Sequence, residues 1–142
     1  FGKADNKFKK IYKTVLDAQQ KAIEYLNKKC HSERSEESRS FGLLPQDDIL
    51  ASKVDSIARR HIIDNGFPTI PHSLGHGIGI EVHEPPRLSP KSKDILKPGM
   101  VFSIEPGIYI PGYGGVRIED LVVLENKDAR LLTHSPKELI EI

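Results

Sequence analysis

The sequence has no tryptophan, one cysteine and almost no net charge. A single cysteine, Cys30, cannot form an internal disulfide, and it makes a cysteine-based zinc site very unfavourable. The formal net charge is +1, from 21 Lys and Arg against 20 Asp and Glu, so electrostatics give no case for a nucleic-acid partner. No apolar run approaches the roughly 18 residues that a membrane helix needs. We therefore expect a cytoplasmic protein that binds neither nucleic acid nor membrane, and the initial Phe1 suggests a piece of a longer chain.

The first half of the chain has helical periodicity. Apolar residues recur at steps of three and four over residues 6–29, which predicts an amphipathic helix with one buried stripe. A second helix is predicted to begin at Ser52 as N-cap and to end at Asn65 and Gly66, where glycine can adopt a left-handed cap. Residues 30–48 between them are polar, low in complexity and aperiodic, so we expect a disordered insertion there.

The second half has β character. A glycine-rich strand is predicted over residues 76–82, with other groups approaching its backbone closely. Residues 100–110 and 116–125 are apolar runs joined by a PGYGG turn, which predicts an antiparallel hairpin. A short strand over 129–133 and a docked terminal segment over 136–142 complete the prediction. Two helices followed by an antiparallel sheet indicate an α+β fold.

Residues able to carry chemistry cluster in four short segments. These are HSLGHGIG at 72–79, HEPP at 83–86, SIEPG at 103–107 and GVRIED at 115–120. Glu105 and Glu119 fall in apolar strands, where a buried carboxylate without a partner is costly. On neighbouring strands they would converge on one face, and His76 could complete a mixed N/O set suited to Mn, Co, Zn or Fe. A structural role for each residue alone, such as a salt bridge to Arg117, stays open.

Other catalytic motifs are missing from the sequence. The glycines at 75, 77 and 79 do not form GxGxxG, because Ile80 occupies the position of the third glycine. His83 and Glu84 do not begin HExxH, since Pro85 and Pro86 follow. A deaminase PCxxC motif and a hydrolase GxSxG elbow are also lacking.

With its four segments the sequence resembles the pita-bread metallopeptidases, peptidase family M24. Within them it is most similar to the Xaa-Pro group, prolidase and aminopeptidase P. The similarity extends to YKTVLDAQQKAI, ASKVDSIARRHIIDNGF and LKPGMVFSIEPGIYIPGYGGVRIEDLVVL. It implies that residues 1–142 form the carboxyl-terminal part of a pita-bread catalytic domain. Methionine aminopeptidases share the GHGIG and HE-P pieces but generally lack a GVRIED-type segment, which favours proline specificity.

The resemblance implies a two-metal site and a hydrolytic reaction. His76, Glu105 and Glu119 would be ligands of two divalent ions, with Mn or Co favoured and Glu119 bridging them. Glu105 would also move a proton to the leaving proline nitrogen. The implied partner is a proline-containing peptide, and the intact parent is expected to be a homodimer.

The resemblance also implies roles for three further residues. His83 would hydrogen-bond the substrate and stabilise the tetrahedral intermediate. His72 would line the substrate pocket, and Arg117 would orient groups beside the second metal ligand.

The family also uses two aspartate ligands from strands that precede the first helix. Asp5, Asp17 and Asp47 stand in the wrong sequence context to replace them. We therefore expect this chain alone to be inactive. The alternatives are a non-catalytic pita-bread interaction module and a creatinase-like hydrolase without metals, and the retained ligands count against both.

Overall fold

The structure is a computed structural model that describes residues 2–32 and 48–142. Most of the predicted insertion at 30–48, namely residues 33–47, lies outside the described residues. The predicted start of that insertion was wrong, because the first helix continues to Ser32 and Cys30 is buried within it.

Helix α1 (Asn6–Ser32) confirms the predicted amphipathic helix. Asp5 caps its first turn, since the Asp5 carboxylate accepts the Phe8 backbone N–H at 2.7 Å. The stripe at steps of three and four is buried, and its fully buried members are Ile11, Val15, Ala18, Ala22 and Leu26. Through this stripe α1 packs against helix α2 and the sheet.

Helix α2 (Ala51–Asp64) begins earlier than predicted, and the predicted cap at Ser52 was wrong. The Ala51 N–H donates to the Asp94 carbonyl at 2.9 Å, which starts the helix directly after strand β1 (Ile49–Leu50). Strand β1 pairs with β4 (Ile95–Leu96). The predicted end is confirmed, with Asn65 as C-cap and Gly66 at a φ of 84°, which favours glycine.

A five-stranded antiparallel sheet carries the second half of the chain. Its order is β3-β2-β5-β8-β9, with the strands β2 (Gly75–Gly77), β3 (Glu84–Leu88), β5 (Val101–Ile104), β8 (Asp120–Leu124) and β9 (Ala129–Leu131). All neighbouring strands run antiparallel. This sheet, together with the two helices, confirms the α+β class.

The strand predicted over 76–82 was wrong in extent. After Gly77 the chain bends through residues 79–83 and returns as β3, so Ile80 and Val82 lie in the connection and are exposed. Strand β3 was not predicted because it contains Pro85 and Pro86, which lack an N–H. It lies at the edge of the sheet, where proline is tolerated.

The predicted hairpin is confirmed in its pairing but divided in two. Strands β5 and β8 pair in the main sheet, whereas β6 (Gly107–Ile110) pairs with β7 (Gly114–Arg117) in a separate two-stranded ribbon. The regular ladder is interrupted at residues 105–106 and 118–119. Pro106 cannot donate a ladder hydrogen bond, which is a physical cause of the interruption.

The terminal segment docks on the body as predicted. Lys137 donates to the buried Asp120 carboxylate at 2.7 Å, and Glu141 accepts from Lys9 of α1 at 2.8 Å. The apolar core lies between α1, α2 and the sheet, and its largest fully buried side chain is Phe102 of β5.

Candidate metal centre

Two glycines allow neighbouring strands to close around His76. A Cβ at Gly75 would lie 1.8 Å from the Ser103 carbonyl oxygen of β5, and one at Gly77 would lie 2.2 Å from the Pro85 carbonyl oxygen of β3. Any side chain at either position would force the strands apart. The ladder between β2 and β3 also shifts register between His76 and Gly77, an irregularity common beside active sites.

The hydrogen bonds of His76 determine which ring nitrogen is available. Its Nδ1 lies 3.0 Å from the Gly77 carbonyl oxygen, which can only accept, so Nδ1 carries the proton. The His76 backbone N–H donates to Ser103 Oγ at 3.1 Å. Nε2 is therefore the free ligand atom, and it points at the Glu105 carboxylate.

Glu105 lies at the first interruption of the hairpin and is nearly buried. Its carboxylate accepts a hydrogen bond from Ser103 Oγ at 3.1 Å, and its Oε1 lies 3.1 Å from His76 Nε2. Arg117 Nε is 3.8 Å from the other carboxylate oxygen, on a side chain that is half exposed. Two acceptor atoms at 3.1 Å repel one another unless a proton or a cation lies between them.

Glu119 lies at the second interruption, opposite Glu105, and is exposed. One ligand atom from each of His76, Glu105 and Glu119 lies within 4.8 Å of the others. The structure thus brings together the three predicted ligands. A set of one imidazole and two carboxylates fits a divalent transition ion, and a cation there would remove the repulsion among three acceptors.

A cavity of about 360 Å³ opens beside this cluster. Its lining residues are His72, Ser73, His76, His83, Glu84, Pro85, Arg87, Glu105 and Arg117. The His83 and His76 rings are tilted against each other with centroids 4.2 Å apart. All four residues predicted to have catalytic roles, His72, His83, Glu105 and Arg117, therefore line one cavity.

Tyr109 is a neighbour of the site that the sequence analysis missed. Its hydroxyl lies 2.9 Å from His72 Nε2, and His72 Nδ1 donates to the Ser73 carbonyl at 2.7 Å. Nε2 therefore accepts from the tyrosine hydroxyl. The ring lies over Gly107 and Gly115, where an added Cβ would come within 2.7 Å of it. The glycines on both strands of the ribbon were the sequence signal for a large side chain packed against them.

A buried ion pair in α2 holds the segment that leads to the site. Asp55 is fully buried and binds Arg59 through two oxygens, at 2.6 and 3.1 Å. Arg59 also donates to the carbonyls of Ile70 and His72, and Asp55 accepts the Leu74 N–H at 3.2 Å. The pair fixes residues 70–74, directly before β2. The Asp-Arg spacing of four on the buried face of α2 was a signal for it.

The aspartates considered as substitute ligands do not join the cluster. Asp5 caps α1, and Asp17 accepts from Lys13 at 2.9 Å on the surface of α1. Asp47 lies outside the described residues.

Comparison with known proteins agrees with this geometry. The model of metallopeptidase family M24 matches residues 1–126. The chain belongs to this family. It is 44% identical over 140 residues to an Xaa-Pro dipeptidase of Pyrococcus horikoshii, covering 98% of this chain and 34% of that protein. It is 41% identical over 140 residues to an uncharacterized peptidase, YqhT, of Bacillus subtilis.

Solved structures match over the same extent. The prolidase from Pyrococcus horikoshii superposes with a TM-score of 0.79 at 43% identity, covering 98% of this chain and 35% of that one. An Xaa-Pro dipeptidase from Bacillus anthracis gives 0.78 at 38% identity, with 98% and 34% covered. A methionine aminopeptidase from Rickettsia prowazekii, at 17% identity and 0.64, shares the fold alone.

The M24 chain spans about a third of the length of the curated relatives it matches. Family membership implies divalent metal ions. Among the described residues, neither helix is apolar enough over a sufficient length to cross a bilayer.

Proposed function

We propose that this M24 chain is part of a dinuclear metallopeptidase that hydrolyses the Xaa-Pro peptide bond. The observation that carries the proposal is the convergence of His76, Glu105 and Glu119 within 4.8 Å, beside a cavity that the first two of them line. The names of the relatives, Xaa-Pro dipeptidase and prolidase, support the substrate class.

The donor set supports two divalent ions, for which we propose Mn or Co. His76 Nε2 and the carboxylates of Glu105 and Glu119 would hold them. Bound divalent ions would supply Lewis-acid polarisation of the scissile carbonyl and acidification of the attacking water.

The side chains around the ligands would handle substrate and protons. His83 lies at the cavity beside His76, where its ring can hydrogen-bond the substrate carbonyl. Glu105 can pass a proton to the leaving proline nitrogen, which is a tertiary amide nitrogen without a hydrogen of its own. Arg117 orients the Glu105 carboxylate through their 3.8 Å contact. His72, held by Tyr109, forms part of the cavity wall.

The three ligand side chains are few for two ions. Two ions held by only three protein ligands would lack most of their protein coordination, so affinity and rate should be poor. We therefore expect the 142-residue chain alone not to hydrolyse peptides. A homodimeric parent and a cytoplasmic location are further parts of this proposal.

A hybrid protein tests the proposal. This chain would replace the matching third of the Pyrococcus horikoshii Xaa-Pro dipeptidase, which it matches at 44% identity. We expect the hybrid to cleave an Xaa-Pro dipeptide with Mn²⁺ or Co²⁺, and Glu119→Gln to abolish cleavage. Glu125→Gln is the matched control, because Glu125 pairs with Arg130 away from the cavity.

Two results would contradict the proposal. A folded hybrid that binds metal without cleaving Xaa-Pro would favour the non-catalytic interaction module. Removal of an initiator methionine from a peptide without proline would favour the methionine aminopeptidase alternative.

A further inference from the structure

Helix α1 carries a buried amide that touches both strands of the divided hairpin. Gln19 is 1% exposed and lies in a stripe that is otherwise mostly apolar. Its Nε2 donates to the Ile104 carbonyl at 3.0 Å and to the Ile118 carbonyl at 3.2 Å. One side chain thus uses its two donor hydrogens on the two opposing arms of the divided hairpin.

These two carbonyls belong to the residues directly before Glu105 and Glu119. The β5–β8 ladder ends at the pair Ile104 and Asp120, and the β6–β7 ladder begins at the pair Gly107 and Arg117. The intervening residues carry the proposed ligands. Across this interval the Ile118 N–H makes only a long contact of 3.4 Å with the Pro106 carbonyl. The regular ladder therefore does not by itself fix the distance between the two strands there.

The peptide group between Ile104 and Glu105 is held from both sides. Its carbonyl accepts from Gln19, and its N–H donates to the Leu74 carbonyl at 2.7 Å. The peptide group between Ile118 and Glu119 is held by the same Gln19 amide. Loss of these hydrogen bonds would free the two peptide groups and the backbone positions from which the two carboxylates project.

We propose that Gln19 is a positioning residue that sets the separation of the Glu105 and Glu119 backbones, and thereby the spacing of the two carboxylates. An apolar side chain would fill the same space without bridging the strands. The claim that Gln19 sets the spacing of metal ligands rests on the proposed function. The claim that Gln19 sets the separation of the two backbone segments does not depend on it.

The test compares Gln19→Met with Val15→Ala in the full 142-residue chain. Methionine matches glutamine in length and removes both donors, whereas Val15 is fully buried one turn earlier on α1 and its truncation destabilises without removing a donor. Gln19→Asn is a second variant, because its amide is one methylene too short to bridge the strands.

Two readouts distinguish positioning from stability. Without metal, the backbone amide NMR shifts of Glu105 and Glu119 should move in both Gln19 variants and stay in place in Val15→Ala. With Co²⁺, the affinity of the Gln19 variants should fall about 10- to 100-fold, as for other residues that orient metal ligands, with a changed Co²⁺ absorption spectrum.

Each outcome decides the inference. Unchanged amide shifts in both Gln19 variants, or equal changes in Val15→Ala, would overturn it. His76→Ala is measured alongside to separate this inference from the proposed function. If His76→Ala leaves Co²⁺ binding intact, the proposed metal site fails, while the metal-free shifts still decide the role of Gln19.

Discussion

The buried ion pair of α2 makes a quantitative prediction about stability. Asp55→Asn keeps the shape of the side chain but removes the charge that faces Arg59 at 2.6 and 3.1 Å. The Asp55 side chain is fully buried and that of Arg59 is 14% exposed, so water cannot replace the lost partner. The guanidinium would remain as an uncompensated buried charge.

The magnitude follows from that burial. Removing one partner of a buried ion pair costs about 3–5 kcal/mol of unfolding free energy. In a domain of this size each kcal/mol shifts the melting temperature by a few degrees, so we expect the variant to melt roughly 10–20 °C lower. In this variant the Leu74 N–H can donate only to an uncharged amide oxygen instead of a carboxylate. The weaker hydrogen bond loosens residues 70–74 ahead of His76.

Urea and thermal unfolding followed by circular dichroism measure this effect. The matched control is Asp17→Asn, which breaks the Lys13–Asp17 pair at the same spacing of four residues on the exposed face of α1. Exposed helical pairs of this type contribute about 0.3–0.5 kcal/mol. If Asp55→Asn destabilises no more than Asp17→Asn, the argument that burial gives the pair its strength is refuted.

Three further predictions follow from hydrogen bonds near the site and the termini. Ser103→Ala removes the bridge between two proposed ligands, and we expect calorimetry to show metal affinity about tenfold lower or more. The hydrogen bond to Asp5 raises the pKa of Tyr113 above 10.0. This bond is therefore present below pH 10.0 and lost as pH rises through the folded pKa. Ultraviolet titration of Asp5→Asn should show Tyr113 ionising at a lower pH than in the unchanged chain. Hydrogen bonding to Lys9, and then to the Ala4 backbone N–H, lowers the pKa of Glu141 below 4.5, so the Glu141 contacts are present above that pH and lost as pH falls through the folded pKa. Proteolysis of Glu141→Gln at neutral pH should therefore cut residues 138–142 faster than in the unchanged chain, while Lys137 keeps its contact with Asp120.

The sequence predicted the elements whose signals are local. The stripe of α1 follows from spacing of three and four, and the end of α2 follows from Gly66, whose φ of 84° few other residues adopt. Pairing of the hairpin followed from two apolar runs around a glycine-rich turn. The convergence of Glu105 and Glu119 then followed from that pairing.

The features that were missed depend on contacts between distant segments. Strand β3 contains two prolines and forms only because an edge position beside β2 is available. The early start of α2 depends on the Asp94 carbonyl, about forty residues away in sequence. Tyr109 is near the site because the ribbon folds toward His72, which no local pattern encodes.

Local sequence patterns also did not predict the division of the hairpin. Two apolar runs predict one continuous ladder, whereas the structure interrupts it at the two glutamates. Pro106 gave a partial signal because it has no N–H to donate. The contact that spans the interruption comes from Gln19 of α1, which is distant in sequence from both arms.

The most direct test of the account is calorimetric titration of Mn²⁺ into the 142-residue chain and two histidine variants. His76 lies in the ligand cluster, whereas His134 is exposed in the terminal region and serves as the matched control. We predict that the chain binds Mn²⁺ weakly, because only three protein ligands are present, that His76→Ala loses this binding, and that His134→Ala retains it. Equal binding by His76→Ala and the unchanged chain, or no binding to the unchanged chain even at a large excess of Mn²⁺, would contradict the claim that these residues converge on a metal site.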